Sequence, residues 1–285
     1  MSKKAQYGKC KICGKETELT FEHVPPFKAF NSRKVKKFGF DDTLELMAGT
    51  DGRLPWDTTG LKGEYHQKGY GDYYLCPKCN NDTGSWYMND YVVFANTMAQ
   101  VLIGFKKKGI NNCSFWMDEF YPLRVFKAVM TMFCDINHNC FGDERLRQFI
   151  LNKESNDFDD KKYTVSMYLC ESDTFRVFGV SAAWIQGLGL LTFSEVACFP
   201  IGFLLYIDKP EGFNPPGIVI NDFVKMKYNE KSKVTFYGLP MYEINSNFPG
   251  DFRSKDEIID CINQNRLEME KIDSEEHIID NEESS

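Results

Sequence analysis

The 285-residue chain lacks several features that would assign a protein's class at once. No stretch stays apolar for the roughly 20 residues that a membrane span requires. The longest, Val180 to Ile207, is broken by Gln186, Thr192, Ser194 and Glu195, so no membrane partner is expected. The opening residues, MSKKAQYGKC, carry lysines but no apolar h-region, and the reading expects no secretory signal. P-loop, G-x-G-x-x-G and G-x-S-x-G patterns are absent, which removes the usual phosphate-cradling loops and the serine-hydrolase elbow. Basic excess is missing too: 34 Lys and Arg face 41 Asp and Glu, a net charge of −7, unlike a protein that simply coats nucleic acid. There is no internal repeat and no biased linker.

What is present is a foldable composition, with 42% hydrophobic, 26% charged and 15% aromatic residues, enough for a sizeable core and more than one domain. Ten cysteines in a long chain with no export signal point to metal-bound thiolates in a reducing cytoplasm rather than to a disulfide scaffold. Four of them form two matching knuckles: Cys10 and Cys13 in CKICGK, and Cys76 and Cys79 in LCPKCNND. Such a knuckle turns both thiolates toward one zinc ion, and four thiolates fill its tetrahedron, so the expected site is structural. A knuckle near the N-terminus paired with one opening a helix describes a treble-clef finger. The other cysteines, at 113, 134, 140, 170, 198 and 261, read as buried small hydrophobes.

Between the knuckles lies LTFEHVPP, with Glu22 and His23, a pair the zinc does not need. Metal-assisted phosphodiester hydrolysis uses an activated water and a cation on the scissile phosphate. A neutral His can take the water's proton, and a carboxylate with an Asn oxygen can hold Mg²⁺. Asn80, directly after Cys79, stands at the expected helix start. Adjacent strand residues point to opposite faces; a twist or bulge at Val24-Pro25-Pro26 is expected to bring Glu22 and His23 to one cleft.

These residues, C-x-x-C-G, L-T-x-E-H-x-x-P and L-C-x-x-C-N, resemble the HNH, or ββα-metal, endonuclease superfamily over about 70 positions in two islands. The resemblance implies that His23 is the general base and that Glu22 and Asn80 hold a catalytic Mg²⁺ or Mn²⁺, with Asn81 as the neighbouring choice. It further implies a nucleic-acid substrate, with DNA favoured, and a single-strand cut per site, so that double-strand cleavage takes a homodimer or two passages. Asn80 replaces the His that the family often carries on its helix. A middle Asn is often found between the islands; here the long segment 27–75 holds only Asn31, very early. His66 reads as a solvent-exposed loop residue, with a phosphate contact or further ligand as its functional alternative. Lys34 and Lys36, in the basic run FKAFNSRKVKKF, are the other candidate substrate contacts. The alternative for the whole module is a non-catalytic zinc finger that binds nucleic acid or protein.

The expected fold is α+β: a zinc-bound ββα-metal (treble-clef) module over 1–90, a helical region over 91–155, and a β-rich domain of unassigned role over 156–272 that closes with a helix. An acidic, disordered tail is expected over 273–285, where six acidic residues stand without Lys or Arg. Helical spacing runs from Tyr87 through Tyr91, Phe94, Met98, Leu102 and Phe105 to a stop at Gly109. Further helices are expected over 121–134 and 143–152, the latter capped by Asp143. Strand-like runs follow from 162 to 240. The cluster Cys134-Asp-Ile-Asn-His138-Asn-Cys140 reads as buried thiols and a surface His.

Overall fold

A computed structural model describes residues 5–39, 41, 42, 46, 53–110 and 112–282, the stretch 269–282 by its backbone alone. The fold is α+β. Two compact units divide it: Met1–Lys37 with Glu64–Ile244, and Phe38–Gly63 with Asn245–Ser285.

In the first unit, β1 (Gln6–Lys9), β2 (Glu16–His23) and β5 (Gly71–Leu75) form an antiparallel sheet in the order β1-β2-β5. The strands β3 (Val35–Phe38) and β4 (Gly63–His66) pair with each other. Directly after β5, α1 (Pro77–Thr83) begins with Cys76 as its N-cap and Pro at its first position, where a missing N–H costs nothing. A π-turn over Gly84–Met88 joins it to α2 (Asn89–Lys106). The helical spacing that starts at Tyr87 thus continues, through the π-turn, the helix expected at the knuckle. Gly109 ends it with φ +68, the left-handed conformation that glycine adopts without penalty.

The large sheet has the order β6-β12-β7-β10-β9-β8, with β11 (Ile218–Val219) pairing to β7. Its strands are β6 (Asn112–Phe120), β7 (Tyr163–Cys170), β8 (Arg176–Ile185), β9 (Gly189–Cys198), β10 (Ile201–Ile207) and β12 (Ser232–Tyr242). All eight residues of β7 are buried, which is why KYTVSMYLC reads as a near-continuous run rather than an alternation. The strand β6 has no counterpart in the sequence-based expectation: it sits between two helices and pairs with β12 more than 100 positions away. Conversely, GIVIND (217–222), within the strand-like stretch 162–240, forms only the two-residue β11 before a 3-10 turn over Asn221–Lys225.

The helix α3 (Pro122–Ile136) is buried all round from Val125 to Asp135, including the polar stripe Lys127, Thr131 and Asp135. The helix α4 (Glu144–Leu151) opens on Asp143, whose carboxylate accepts the Leu146 N–H at 3.1 Å. One continuous core links Ile12, Val24 and Leu75 of the N-terminal strands to Phe126, Met130, Val165 and Phe203. Tyr87, Tyr91, Phe94, Met98 and Leu102 all lie in it, so the aromatic stripe of the second helix is core. The sequence divisions near 90 and 155 thus fall within one packed unit. Five of the six remaining cysteines are buried as expected, while Cys261 is half-buried.

In the second unit, α5 (Lys255–Glu282) continues well past 272 and takes most of the acidic tail into a helix. No Gly or Pro follows Gly250 to stop it. No helix among the described residues is long and apolar enough to cross a membrane.

Candidate functional site

The first knuckle follows β1. The Cys10 N–H donates to Lys15 O, and the Gly14 N–H to Cys10 O, both at 2.9 Å, closing a turn in which Gly14 has φ +72. The Lys11 N–H donates to Tyr74 O at 2.9 Å, which ties this turn to the end of β5, directly before the second knuckle. There the Cys79 N–H donates to Cys76 Sγ at 3.4 Å and the Asn80 N–H to Cys76 O at 3.0 Å. As a result the sulfurs of Cys10, Cys13, Cys76 and Cys79 all lie within 4.8 Å of one another, and those of Cys13 and Cys76 are 3.8 Å apart. A tetrahedron with zinc–sulfur bonds of about 2.3 Å has edges of about 3.8 Å. Four converging thiols with no acid or His among them suit a soft-ligand ion such as zinc.

The knuckle sets Asn80 in the first turn of α1, facing β2. Its Nδ2 donates to Thr20 Oγ1 at 2.9 Å, and the Asn80 side chain and the His23 backbone are the polar groups that favour the charged form of the Glu22 carboxyl. Burial nevertheless pushes the Glu22 carboxyl up to about 7, since desolvation penalises its charged form more than these two donors favour it. Pairing is regular at Phe21, Glu22 and His23, opposite Tyr73, Asp72 and Gly71, and the one register shift falls between Thr20 and Phe21, ahead of the pair rather than at Val24-Pro25-Pro26. Glu22 therefore shares the face of Thr20 and Asn80, and His23 shares that of Phe21.

His23 lies edge-on to Phe21 and Phe27, with ring centroids 5.0 and 5.2 Å away. Its Nε2 is 2.8 Å from Lys68 O. A carbonyl only accepts, so Nε2 carries the proton and Nδ1 presents a lone pair. Burial lowers the His23 pKa against a smaller opposing effect of that hydrogen bond, so the ring is neutral near pH 7. A cleft of about 400 Å³ opens here, lined by Phe21, His23, His66, Gln67, Lys68 and Gly69. His66 is thus not a solvent-exposed loop residue. It ends β4, its side chain is 15% exposed, and its buried Nε2 has no hydrogen-bond partner among the described residues.

Sequence reasoning did not place Asn31, which the structure sets at the base of this loop. Fully buried, it donates from Nδ2 to Pro25 O at 2.6 Å and Tyr70 O at 2.7 Å, and accepts the Tyr70 N–H at 2.7 Å. One amide therefore staples the exit of β2 to the entry of β5. The approach is so close that a Cβ at Gly69, where φ is +89, would stand 2.0 Å from Asn31 O. Its signal in the sequence was its being the sole Asn between the islands. Lys34 and Lys36 lie over the ring of Tyr65, 4.1 and 5.6 Å from its centroid, on the residue next to His66. Arg33 is paired with Asp173, and Lys37 approaches Asp72 at 4.0 Å, so part of the basic run is neutralised. Asn81 lies in α1 beside Asn80.

The Cys134–Cys140 run brings no second thiolate site. Cys140 Sγ points at the Lys11 and Ile12 carbonyls, 3.7 and 3.9 Å away, and exposed His138 meets Lys11 Nζ through Nδ1 at 3.0 Å. Comparison with family models, with curated proteins and with solved structures finds no match.

Proposed function

We propose that this protein is a divalent-cation-dependent endonuclease of the HNH type, acting on DNA. The observation that carries the reading is His23, neutral and held through Nε2 by the Lys68 carbonyl, at the strand end that also bears the Glu22–Asn80 pair. In this reading the four cysteines hold structural zinc in a treble-clef arrangement, and a reducing, cytoplasmic setting keeps them as thiolates. Glu22 and Asn80 would hold Mg²⁺ or Mn²⁺, hard cations that take carboxylate and amide oxygens. The donor set fits: Glu22 is a half-buried carboxyl with no cation among the groups acting on it, and a cation there would restore its charged form. Once bound, the ion supplies charge neutralisation at the phosphate. Nδ1 of His23 takes the proton of the attacking water while Lys68 O fixes the ring. His66 contacts the phosphate from the same cleft, and Lys34 and Lys36 follow the backbone beyond it. Cutting both strands takes two protomers or two passages.

A non-catalytic zinc-finger binder is the second reading, favoured by the net charge of −7 and by the pairing of Arg33 and Lys37 with acids. Supercoiled plasmid, single-stranded DNA and RNA incubated with Mg²⁺ or Mn²⁺, and with EDTA as the control, separate the two. Metal-dependent cutting of DNA supports the nuclease; preference for RNA changes its substrate. Binding without cutting by zinc-loaded protein in either metal supports the second reading.

A further inference from the structure

One carboxylate outside the sequence islands takes no part in the chemistry proposed for Glu22, His23 and Asn80. Asp135, in the last turn of α3, is fully buried, and neither of its oxygens has a hydrogen-bond partner among the described residues. Glu22 leads the charges that act on it, followed by Cys140, Cys10 and Lys11. Lys11, the cation of that group, gives its hydrogen bond to His138 Nδ1 at 3.0 Å. Ionised, Asp135 is a buried charge that the Glu22 carboxyl opposes electrostatically; protonated, its O–H lacks an acceptor. Either state leaves a polar group unmet, a condition that buried groups rarely tolerate. The helix adds to this independently. The last turn of α3 contains no basic residue, so the negative end of its dipole and the Asp135 carboxyl both call for positive charge.

We propose that Asp135 is a third protein ligand of the divalent-cation site, supplied by α3 and joining Glu22 of β2 and Asn80 of α1. The assignment rests on the nuclease reading of Glu22 and Asn80. It explains why a residue of the helical region, far from the motif in sequence, is fully buried with both oxygens unpaired and within electrostatic reach of Glu22: a hard cation accepts such oxygen donors, and two carboxylates with an amide suffice for an ion that keeps several waters. It also makes the helical region part of the cation site rather than an attachment to it.

The test is Mn²⁺ titration of full-length, zinc-loaded protein, followed by the electron paramagnetic resonance signal of free Mn²⁺, for wild type, Glu22→Gln, Asp135→Asn and Asp135→Leu. Zinc per chain and melting temperature are recorded for each. We expect wild type to bind Mn²⁺, and Glu22→Gln and both Asp135 variants to bind at least about tenfold more weakly, with zinc content and fold retained. Removing an unmet buried charge should leave the metal-free melting temperature of the Asp135 variants unchanged or raised. Wild-type affinity in the Asp135 variants beside a loss in Glu22→Gln overturns the proposal and leaves the nuclease reading standing. Loss of zinc or of the folded state in both Asp135 variants assigns the residue to the fold and also overturns it. A wild type that binds no Mn²⁺ overturns the nuclease reading itself, and this ligand with it.

Discussion

Truncating Asn31 to alanine removes three hydrogen bonds at once, two donated to Pro25 O and Tyr70 O and one accepted from the Tyr70 N–H. Each such bond contributes about 0.5–1.5 kcal/mol net, and a buried partner left unmet costs about 1–3 kcal/mol. Tyr70 is half-buried, so water can replace part of what it loses, whereas Pro25 is buried and pays the full desolvation penalty. The sum is about 3 kcal/mol. For a cooperative unit of this size each kcal/mol shifts the midpoint by about 2–4 °C, giving a fall of about 6–12 °C for Asn31→Ala. Differential scanning calorimetry of zinc-loaded protein measures it. The same variant frees Lys68, two residues before Tyr70, and so loosens the carbonyl that orients His23; cleavage should fall along with stability. A shift below 2 °C would refute the staple and show that the loop is held by other contacts.

Cys76→Ser should lower both zinc content and melting temperature, because a closed thiolate site contributes folding free energy and Cys76 also caps α1; metal analysis and calorimetry together check this, and about one zinc per wild-type chain is the reference. Glu22→Gln tests the raised carboxyl. Its folded value of about 7 stands above the ordinary 4.5, so folding takes up a proton: the group's destabilising effect is absent below pH 4.5, grows through that window and is complete above about 7. Metal-free wild type should therefore lose melting temperature between pH 5 and 8 relative to Glu22→Gln, and parallel curves would contradict the shift. Cleavage at limiting cation should rise with pH through about 7, as Glu22 ionises, while His23, already neutral below its ordinary value, sets no limit there; a profile falling across that range would oppose these roles.

Local chemistry was legible in the sequence and distant closure was not. The two knuckles were readable because each thiolate pair is set by a two-residue turn, and Asp143 because a cap acts within three residues. The helix from Pro122 and most strands of the large sheet followed from periodicity and apolar runs. The strand β6 was missed because its character comes from pairing with β12 across the chain. Asn31 could not be placed because its partners, Pro25 and Tyr70, come together only when the segment between them folds back. Asp135 was hidden in a run whose cysteines and His drew notice first; nothing within the run shows that α3 buries it with both oxygens unpaired. The parity of Glu22 and His23 was readable, whereas the twist expected at the prolines to bring both to one cleft is not found: the register shift falls between Thr20 and Phe21, and the cleft is lined by His23 without Glu22.

The most direct test of the central claim is plasmid nicking by wild type and His23→Ala side by side, in Mg²⁺ or Mn²⁺, with zinc content and melting temperature matched. Wild type should nick in a metal-dependent way and the variant should lose at least about 100-fold, the low end of what a positioned general base contributes. Nicking by His23→Ala at the wild-type rate would contradict that claim.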